Sequence, residues 1–307
     1  MYSEKLQELF KCTKKIMKRI LFIAIIFVIS IKAKAQFSEV GLLAGESHYI
    51  GDMSPGKMKN LKEAHFAGGI FYRYTFASGI VGFRTGLTFA KISGDDRNFA
   101  EGSAQQKRNL NFESGIQSVN AMLELNIPGI TPCKYKFFSP YLLGGITAFH
   151  FNPIANYYGS TKSLQALGTE GQGVEGSNVE KYKLNQIAAN YGGGFKILCR
   201  DIFIVQLELL YHKTFTDYLD DVSGNYYNPT TLKKVYGDAS AYLSNPTTTI
   251  YNYDASGYSN TQRGDATTKD SYLITSISVS YLFGINCGRS YRGIDFGSKH
   301  ARKCNEF

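Results

Sequence analysis

The 307-residue sequence sets 34 Lys and Arg against 25 Asp and Glu, a formal net charge of +9, and holds 22 Tyr, 21 Phe and 31 Gly with no Trp. Residues 1–35 contain eight of the positive and two of the negative residues, so the rest stands at 26 against 23, and the segment 36–284 at 21 against 21; this excludes a nucleic-acid-binding basic surface. After residue 35 there is no apolar run of about 18 or more, which excludes a helical membrane protein.

The first 35 residues read as an address. Lys14, Lys15, Lys18 and Arg19 precede an apolar run from Ile20 to Ile31, and Ala33 and Ala35 supply the small residues a signal peptidase reads. That run is shorter than the ~20 residues of a spanning helix. Residues 1–35 are therefore expected to be a secretory signal with Met17 as its start. Cys12 precedes the apolar run and Gln36, not Cys, stands directly after the cut, so a lipoprotein is not expected.

Eight strands are predicted beyond the signal, from alternation with period two. The first is Phe37 to Gly51, followed by polar Asp52 to Glu63. The second, His65 to Phe76, sets Phe66, Ile70, Tyr72, Tyr74 and Phe76 against Ala67, Gly69, Arg73 and Thr75. Ala77-Ser78-Gly79 turns tightly into the third, Ile80 to Ser93, where Val81, Phe83, Leu87 and Phe89 oppose Gly82, Arg84, Gly86 and Thr88. A hydrophilic loop, Gly94 to Asn109, leads to the fourth, Leu110 to Ile127. Its second half alternates, with Glu124 on the polar face, but Leu110 and Phe112 are out of phase, so a bulge is expected near Ser114 to Gln117.

A Pro-bearing turn, Pro128 to Phe138, reaches the fifth strand, Ser139 to Asn152, apolar on both faces. Then come a loop, Pro153 to Lys181, and the sixth strand, Tyr182 to Leu198, with Ile187, Tyr191, Phe195 and Ile197 opposite Gln186, Asn190 and Lys196. Cys199 to Asp201 turns into the seventh, which sets Phe203, Val205, Leu207, Leu209 and Tyr211 against Gln206, Glu208, His212 and Thr214. The longest loop, Thr216 to Lys269, precedes the eighth strand, Ser271 to Phe283.

These connections alternate long and short from end to end. Outer-membrane barrels have short periplasmic turns and long surface loops, whereas a soluble meander has no reason to sort loop length by end. The expected fold is therefore all-β, an eight-stranded antiparallel up-and-down transmembrane β-barrel over 36–284, with a basic periplasmic tail at 285–307. It is expected to be monomeric, to face outer-membrane lipid and to carry no cofactor. A lumen of eight strands is filled by side chains, and Arg73, Arg84 and Lys196 with Glu124 and Glu208 are predicted to pair inside it. A plug follows, not a pore.

Candidate chemistry is sparse. Gly171-Gln172-Gly173-Val174-Glu175-Gly176 fits GxGxxG but lacks the strand and helix a dinucleotide site needs, and reads as a mobile glycine loop. Asp217, Asp220 and Asp221 have oxygen ligands for Ca²⁺ but no EF-hand spacing, so capping and loop hydrogen bonds are the simpler expectation. His48, His150 and His212 fall near the outer rim, where a lipid-modifying hydrolase places a base; solvated or girdle histidines are the plainer reading. Cys133, Cys199, Cys287 and Cys304 all fall on the predicted periplasmic side, where the envelope permits disulfides in any of three pairings.

Several segments resemble one family. Tyr49-Ile-Gly-Asp52, Ser93-Gly-Asp-Asp96, Ser139-Pro-Tyr-Leu-Leu-Gly-Gly145, Leu167-Gly-Thr-Glu-Gly-Gln-Gly173 and above all Lys213-Thr-Phe-Thr-Asp-Tyr-Leu-Asp-Asp-Val-Ser-Gly224 look like those of the PorG family. These are small outer-membrane barrels of the Bacteroidetes type IX secretion system. The last motif, with Thr216, Asp217, Tyr218, Asp220, Asp221 and Gly224, is the most specific. The resemblance implies a non-enzymatic component that links the periplasmic ring of PorK and PorN to the outer membrane and supports protein export and, in some members, gliding motility. It covers residues 36–284; the lead before Met17 and the tail after Phe283 depart from the family pattern. The rival expectations are a free-standing surface barrel for adhesion or defence and an outer-leaflet lipid-modifying enzyme.

Overall fold

A computed structural model of the protein describes residues 37–56, 63–76, 79–127, 138–199, 202–247 and 261–283. The expected signal peptide with Met17, the basic tail, and Cys133, Cys287 and Cys304 lie outside the described residues. The alternating segments form β1 (Phe37–Ile50), β2 (His65–Phe76), β3 (Val81–Asp95), β4 (Asn111–Asn126), β5 (Phe138–Tyr157), a short β6 (Ser160–Ser163), β7 (Asn185–Cys199), β8 (Phe203–Thr214) and β9 (Ser271–Phe283). The sheet runs β4-β3-β2-β1-β9-β8-β7-β5, and β4 pairs with β5 to close it. Every neighbour is antiparallel, so the eight long strands make an up-and-down barrel, with β6 only extending β5 as a hairpin.

Period two decides which way each side chain points. Every barrel strand exposes large apolar residues on the outside, among them Leu42 on β1 at 65%, Ile146 on β5 at 62% and Ile277 on β9 at 60%. Such an apolar surface on all sides is not tolerated in water and is the lipid-facing band of an outer-membrane barrel. From Ile187 to Ile197 on β7 the outward band covers about 33 Å of strand, or ~25 Å along the membrane normal after a tilt of about 40°, which matches the hydrocarbon layer. At the turn end Tyr72–Phe283, Tyr74–Phe76, Phe138–Phe195 and Phe203–Tyr281 pair ring to ring, an aromatic girdle. The protein is an outer-membrane barrel.

The inward set changes character along the axis. Near the short turns it is charged; toward the long loops it is apolar. This corrects the expected bulge: the pairing of β4 with β3 and β5 runs without a break through Ser114 to Gln117, and every even residue from Phe112 to Asn126 points inward. Phe112 and Ile116 are buried in the upper lumen, so Leu110 and Phe112 are inward residues of an apolar layer. Where the wall curves tightly, inward glycines are required. A Cβ on Gly194 would lie 2.1 Å from the Leu207 carbonyl oxygen of the next strand.

The long loops fold into a cap over the upper mouth. β5 continues five residues past the expected Asn152 and pairs with β6, so the following loop begins as a hairpin. The loop after β8 contains two helices, Pro229–Tyr236 and Asp238–Ser244; Asn228 caps the first by accepting from Thr231 N at 3.0 Å, with Pro229 at the first helical position. Met53, Leu110, Leu164, Tyr182, Leu219, Val222 and Leu243 from the loops join Ile92, Phe112, Phe149, Phe151 and Tyr272 from the strands in one buried cluster. Burial of this apolar surface holds the cap on the barrel.

Candidate functional site: the packed lumen and its loop cap

Among the described residues, the charged half of the lumen holds three cations and three anions. Arg73 on β2 pairs with Glu39 on β1 at 2.5 Å and with Glu124 on β4 at 2.9 Å. Arg84 on β3 grips Glu208 on β8 with two bonds, 2.5 and 2.7 Å. Lys196 on β7 bonds to Glu124 and, at 2.9 Å, to Asn126. Tyr141 on β5 donates to Glu208 at 2.7 Å, Ser280 on β9 donates to Glu39 at 2.8 Å, and Arg73 also donates to Gln206 at 2.6 Å. The Phe71 ring lies between the two guanidiniums, 5.0 and 5.4 Å from its centroid.

All five residues expected in the network are there, and Glu39 completes it. The signal for Glu39 is charge balance: without it three cations face only two acids, and Glu39 is the remaining inward acid of the charged half. A buried unpaired cation is costly enough to demand such a partner. Above this lattice, a cavity beside Arg84, Glu208 and His212 has a volume of about 10 Å³, room for one water.

The cap is built by the motifs that stood out in the sequence. Tyr49 Oη lies 2.6 Å from Asp220 Oδ2 and 2.8 Å from Asp270 Oδ1. A phenol has one proton, so the second contact needs a proton on a carboxylate. Burial holds both acids well above the usual carboxylate range, and the Asp220 charge raises Asp270 further. Asp220 Oδ1 and Asp270 Oδ2 accept from the backbone N–H groups of Val222 and Leu219, each at 2.9 Å.

Asp221, pushed up to about 6 by burial, accepts from Tyr182 at 2.7 Å and from Thr169. Glu170 accepts from Ser223 N at 2.9 Å, Gly224 N at 3.0 Å and Arg263 at 2.9 Å. Asp96 binds Arg108 through two bonds of 2.7 Å, and Asp52 accepts from Asp265 N at 2.6 Å. Thus the segments at Tyr49, Asp96, Thr169 and Asp220 meet in one buried polar lattice.

The acidic cluster makes the loop hydrogen bonds that were its simpler expectation, and two other expectations change here. Asp217, Asp220 and Asp221 point to different partners, and among the described residues no group of metal-ligating side chains forms; Asp220 and Asp221 serve the loop hydrogen bonds, and burial pushes Asp217 up to about 6. The glycine segment is no mobile loop: Glu170, Gln172 and Val174 are buried, and Gly171, Gly173 and Gly176 take φ of +82, +75 and +84° to fold it. His212 is neither solvated nor in a girdle. It is buried in the lumen, stacked on Tyr272 at 4.2 Å, while His48 pairs with Glu46 at 3.2 Å and His150 with Asn185 at 2.9 Å, both on the outside. Because β1 and β5 lie on opposite walls, the three histidines share no site. Cys199 ends β7 and has no disulfide partner among the described residues.

On the outer surface of the cap is a cleft of about 450 Å³ lined by Asp52, Lys107, Arg108, Tyr226, Arg263 and Asp265 among others. Of these, Arg108 is held by Asp96 behind it, and Asp52 and Asp265 are joined through the Asp265 N–H.

Residues 18–254 match a family profile described as "Domain of unknown function (DUF6089)". No curated protein matches the chain. Among solved structures the chain is similar to Ail, the attachment invasion locus protein of Yersinia pestis, solved with the heparin analogue sucrose octasulfate, at 14% identity over 81% of this chain and 99% of that one, TM-score 0.37. It is similar to the outer membrane protein OprG from Pseudomonas aeruginosa at 10% identity, 82% and 97% coverage and TM-score 0.38. Neisserial surface protein A is similar at 10% identity, 80% and 97% coverage and TM-score 0.38.

Proposed function

The chain belongs to the DUF6089 family, and we propose that it is a non-enzymatic outer-membrane component of a type IX protein secretion system, anchoring a periplasmic ring of PorK and PorN type to the outer membrane and supporting export and, with it, gliding motility. The observation that carries the reading is the convergence of the PorG-like segments: Tyr49, Asp96, Thr169-Glu170 and Asp220-Asp221 are the residues that lock the cap. The resemblance therefore lies in residues with a shared structural job. A lumen closed by three ion-paired cations leaves no conduit for exported protein, so the barrel acts as a membrane anchor whose partners meet its periplasmic face.

The test is affinity purification of the tagged barrel from detergent-solubilised membranes, together with secretion of a type IX cargo in a deletion strain. Ring proteins are expected to co-purify and export to fail. Export that continues normally, with no ring protein recovered, overturns the proposal.

The cleft in the ordered cap favours a second reading, a free-standing surface barrel that acts in adhesion or defence. That reading expects loss of surface attachment with secretion intact. For a lipid-modifying enzyme the separated histidines offer no shared base, and an unchanged lipid profile in the deletion strain is expected.

A further inference from the structure

We propose that a hollow in the lipid-facing wall, on the side of the long loops, seats one acyl chain of a lipid A-type glycolipid of the outer leaflet. The register defines the hollow. Leu87, Val119, Ala148 and Ile187 face one another across β3, β4, β5 and β7 as one outward row. In that row of large apolar residues Ala148 is the short one, and the row beneath is thinned by Ala121 and Ala189 on either side of Ile146. The result is a concavity of about 550 Å³ with Ala148 in it and Leu87, Phe89, Val119 and Ile187 around it.

The next row toward the loops changes chemistry. It reads Phe89, Gln117, His150, Asn185, with His150 Nδ1 2.9 Å from Asn185 Oδ1 and Gln186 beside them. The apolar hollow thus ends in a rim of hydrogen-bonding side chains, with no Lys or Arg in its lining. Of the cations on the neighbouring strands, Lys91 on β3 is paired with Glu113 at 2.7 Å, and Lys213 on β8, opposite Ala189, donates to the Lys269 carbonyl at 3.1 Å.

This combination selects the occupant. The hollow is continuous with the apolar band that contacts the bilayer, so a lipid tail covers it, and its position toward the surface loops places it in the outer leaflet. The lining holds no Lys or Arg to take a charged head group at this depth. The amide-linked chains of lipid A, unlike the ester-linked chains of a glycerophospholipid, offer an N–H donor as well as a carbonyl acceptor, which the amides of Gln117 and Asn185 and the ring of His150 match. Ala148 makes the seat, because a larger side chain there fills the row.

The experiment uses the full barrel purified in detergent, stripped of lipid, and incubated with lipid A or with phosphatidylethanolamine before native mass spectrometry. The wild type is expected to retain one lipid A and little phosphatidylethanolamine. Ala148→Phe is expected to lose lipid A retention at least tenfold. Ala44→Phe, an equal change at an exposed position on the opposite wall, is expected to keep it. Should Ala148→Phe fail to fold, Gln117→Leu with His150→Leu removes the rim instead, with the same loss expected. Equal retention by wild type and variant, equal retention of the two lipids, no lipid A on the wild type, or loss of a co-purifying protein in place of lipid would each overturn the proposal.

Discussion

Replacing Asp220 by Asn should remove most of the cap's sensitivity to alkaline pH. In the closed cap, Tyr49 bridges Asp220 and Asp270 at 2.6 and 2.8 Å, and the pair holds a proton. In an opened cap each acid returns to an ordinary pKa near 3.9. The closed form thus binds a proton that the open form releases. The stability this contributes is complete below about pH 4 and declines as pH rises toward the raised value of the closed cap, at about 1.4 kcal/mol per pH unit. Above the range near pH 6 where Asp217 and Asp221 titrate, and up to the raised value of the closed pair, each further pH unit costs about 1.4 kcal/mol, or about tenfold in the opening constant.

The amide introduced by Asp220→Asn reproduces the protonated acid: its oxygen still accepts from Val222 N and its NH₂ faces Tyr49, leaving Asp270 as the one charge. Amide hydrogen exchange at Leu219 and Val222 in detergent micelles, corrected for intrinsic rates, reads the opening constant directly. Above pH 6.5 the wild type should open more readily as pH rises, by up to about tenfold per unit, and D220N should lose most of that slope. Equal slopes in the two proteins would refute the shared proton.

Two other outcomes follow from the lumen. Glu208→Gln leaves Arg84 buried with half its partner and should cost roughly 3–5 kcal/mol, while Arg84→Met with Glu208→Met should cost less than either single change; the temperature at which the folded band is lost on a gel run without boiling measures both, and a Glu208→Gln barrel as heat-stable as wild type would contradict the pairing. In planar bilayers the purified barrel should show no steady conductance, because the space beside Arg84 and Glu208 is only about 10 Å³. Sustained nanosiemens openings would contradict the plug.

The strands were legible because each carries its own alternation. His65–Phe76 and Ser271–Phe283 have the same bounds in the sequence reading and the structure. The tight connection after β2 also made Arg73 and Arg84 readable as neighbours, and they are directly opposed. Glu39 was not readable in this way. It faces Arg73 across β1 and β2, which a long loop joins, and a long loop fixes no register.

The misplaced bulge has a different cause. Alternation in a barrel is read as apolar outside and polar inside, but under the cap the order on β4 is reversed: Phe112 and Ile116 face the lumen while Glu113 and Gln117 face out. The cap itself was invisible as architecture. Its acidic and glycine motifs could be seen, but their partners lie up to 221 residues away, as with Tyr49 and Asp270, and no local pattern encodes such meetings.

One consequence of the lumen lattice concerns how the wall comes together. Each of the eight long strands supplies at least one member: Glu39, Arg73, Arg84, Glu124, Tyr141, Lys196, Glu208 and Ser280 stand on β1, β2, β3, β4, β5, β7, β8 and β9. A sheet missing any one edge strand would carry a stranded charge or an orphaned hydrogen bond into lipid, where neither finds water. Partial cylinders are therefore disfavoured as resting points, and sealing of the final seam should coincide with entry into the bilayer.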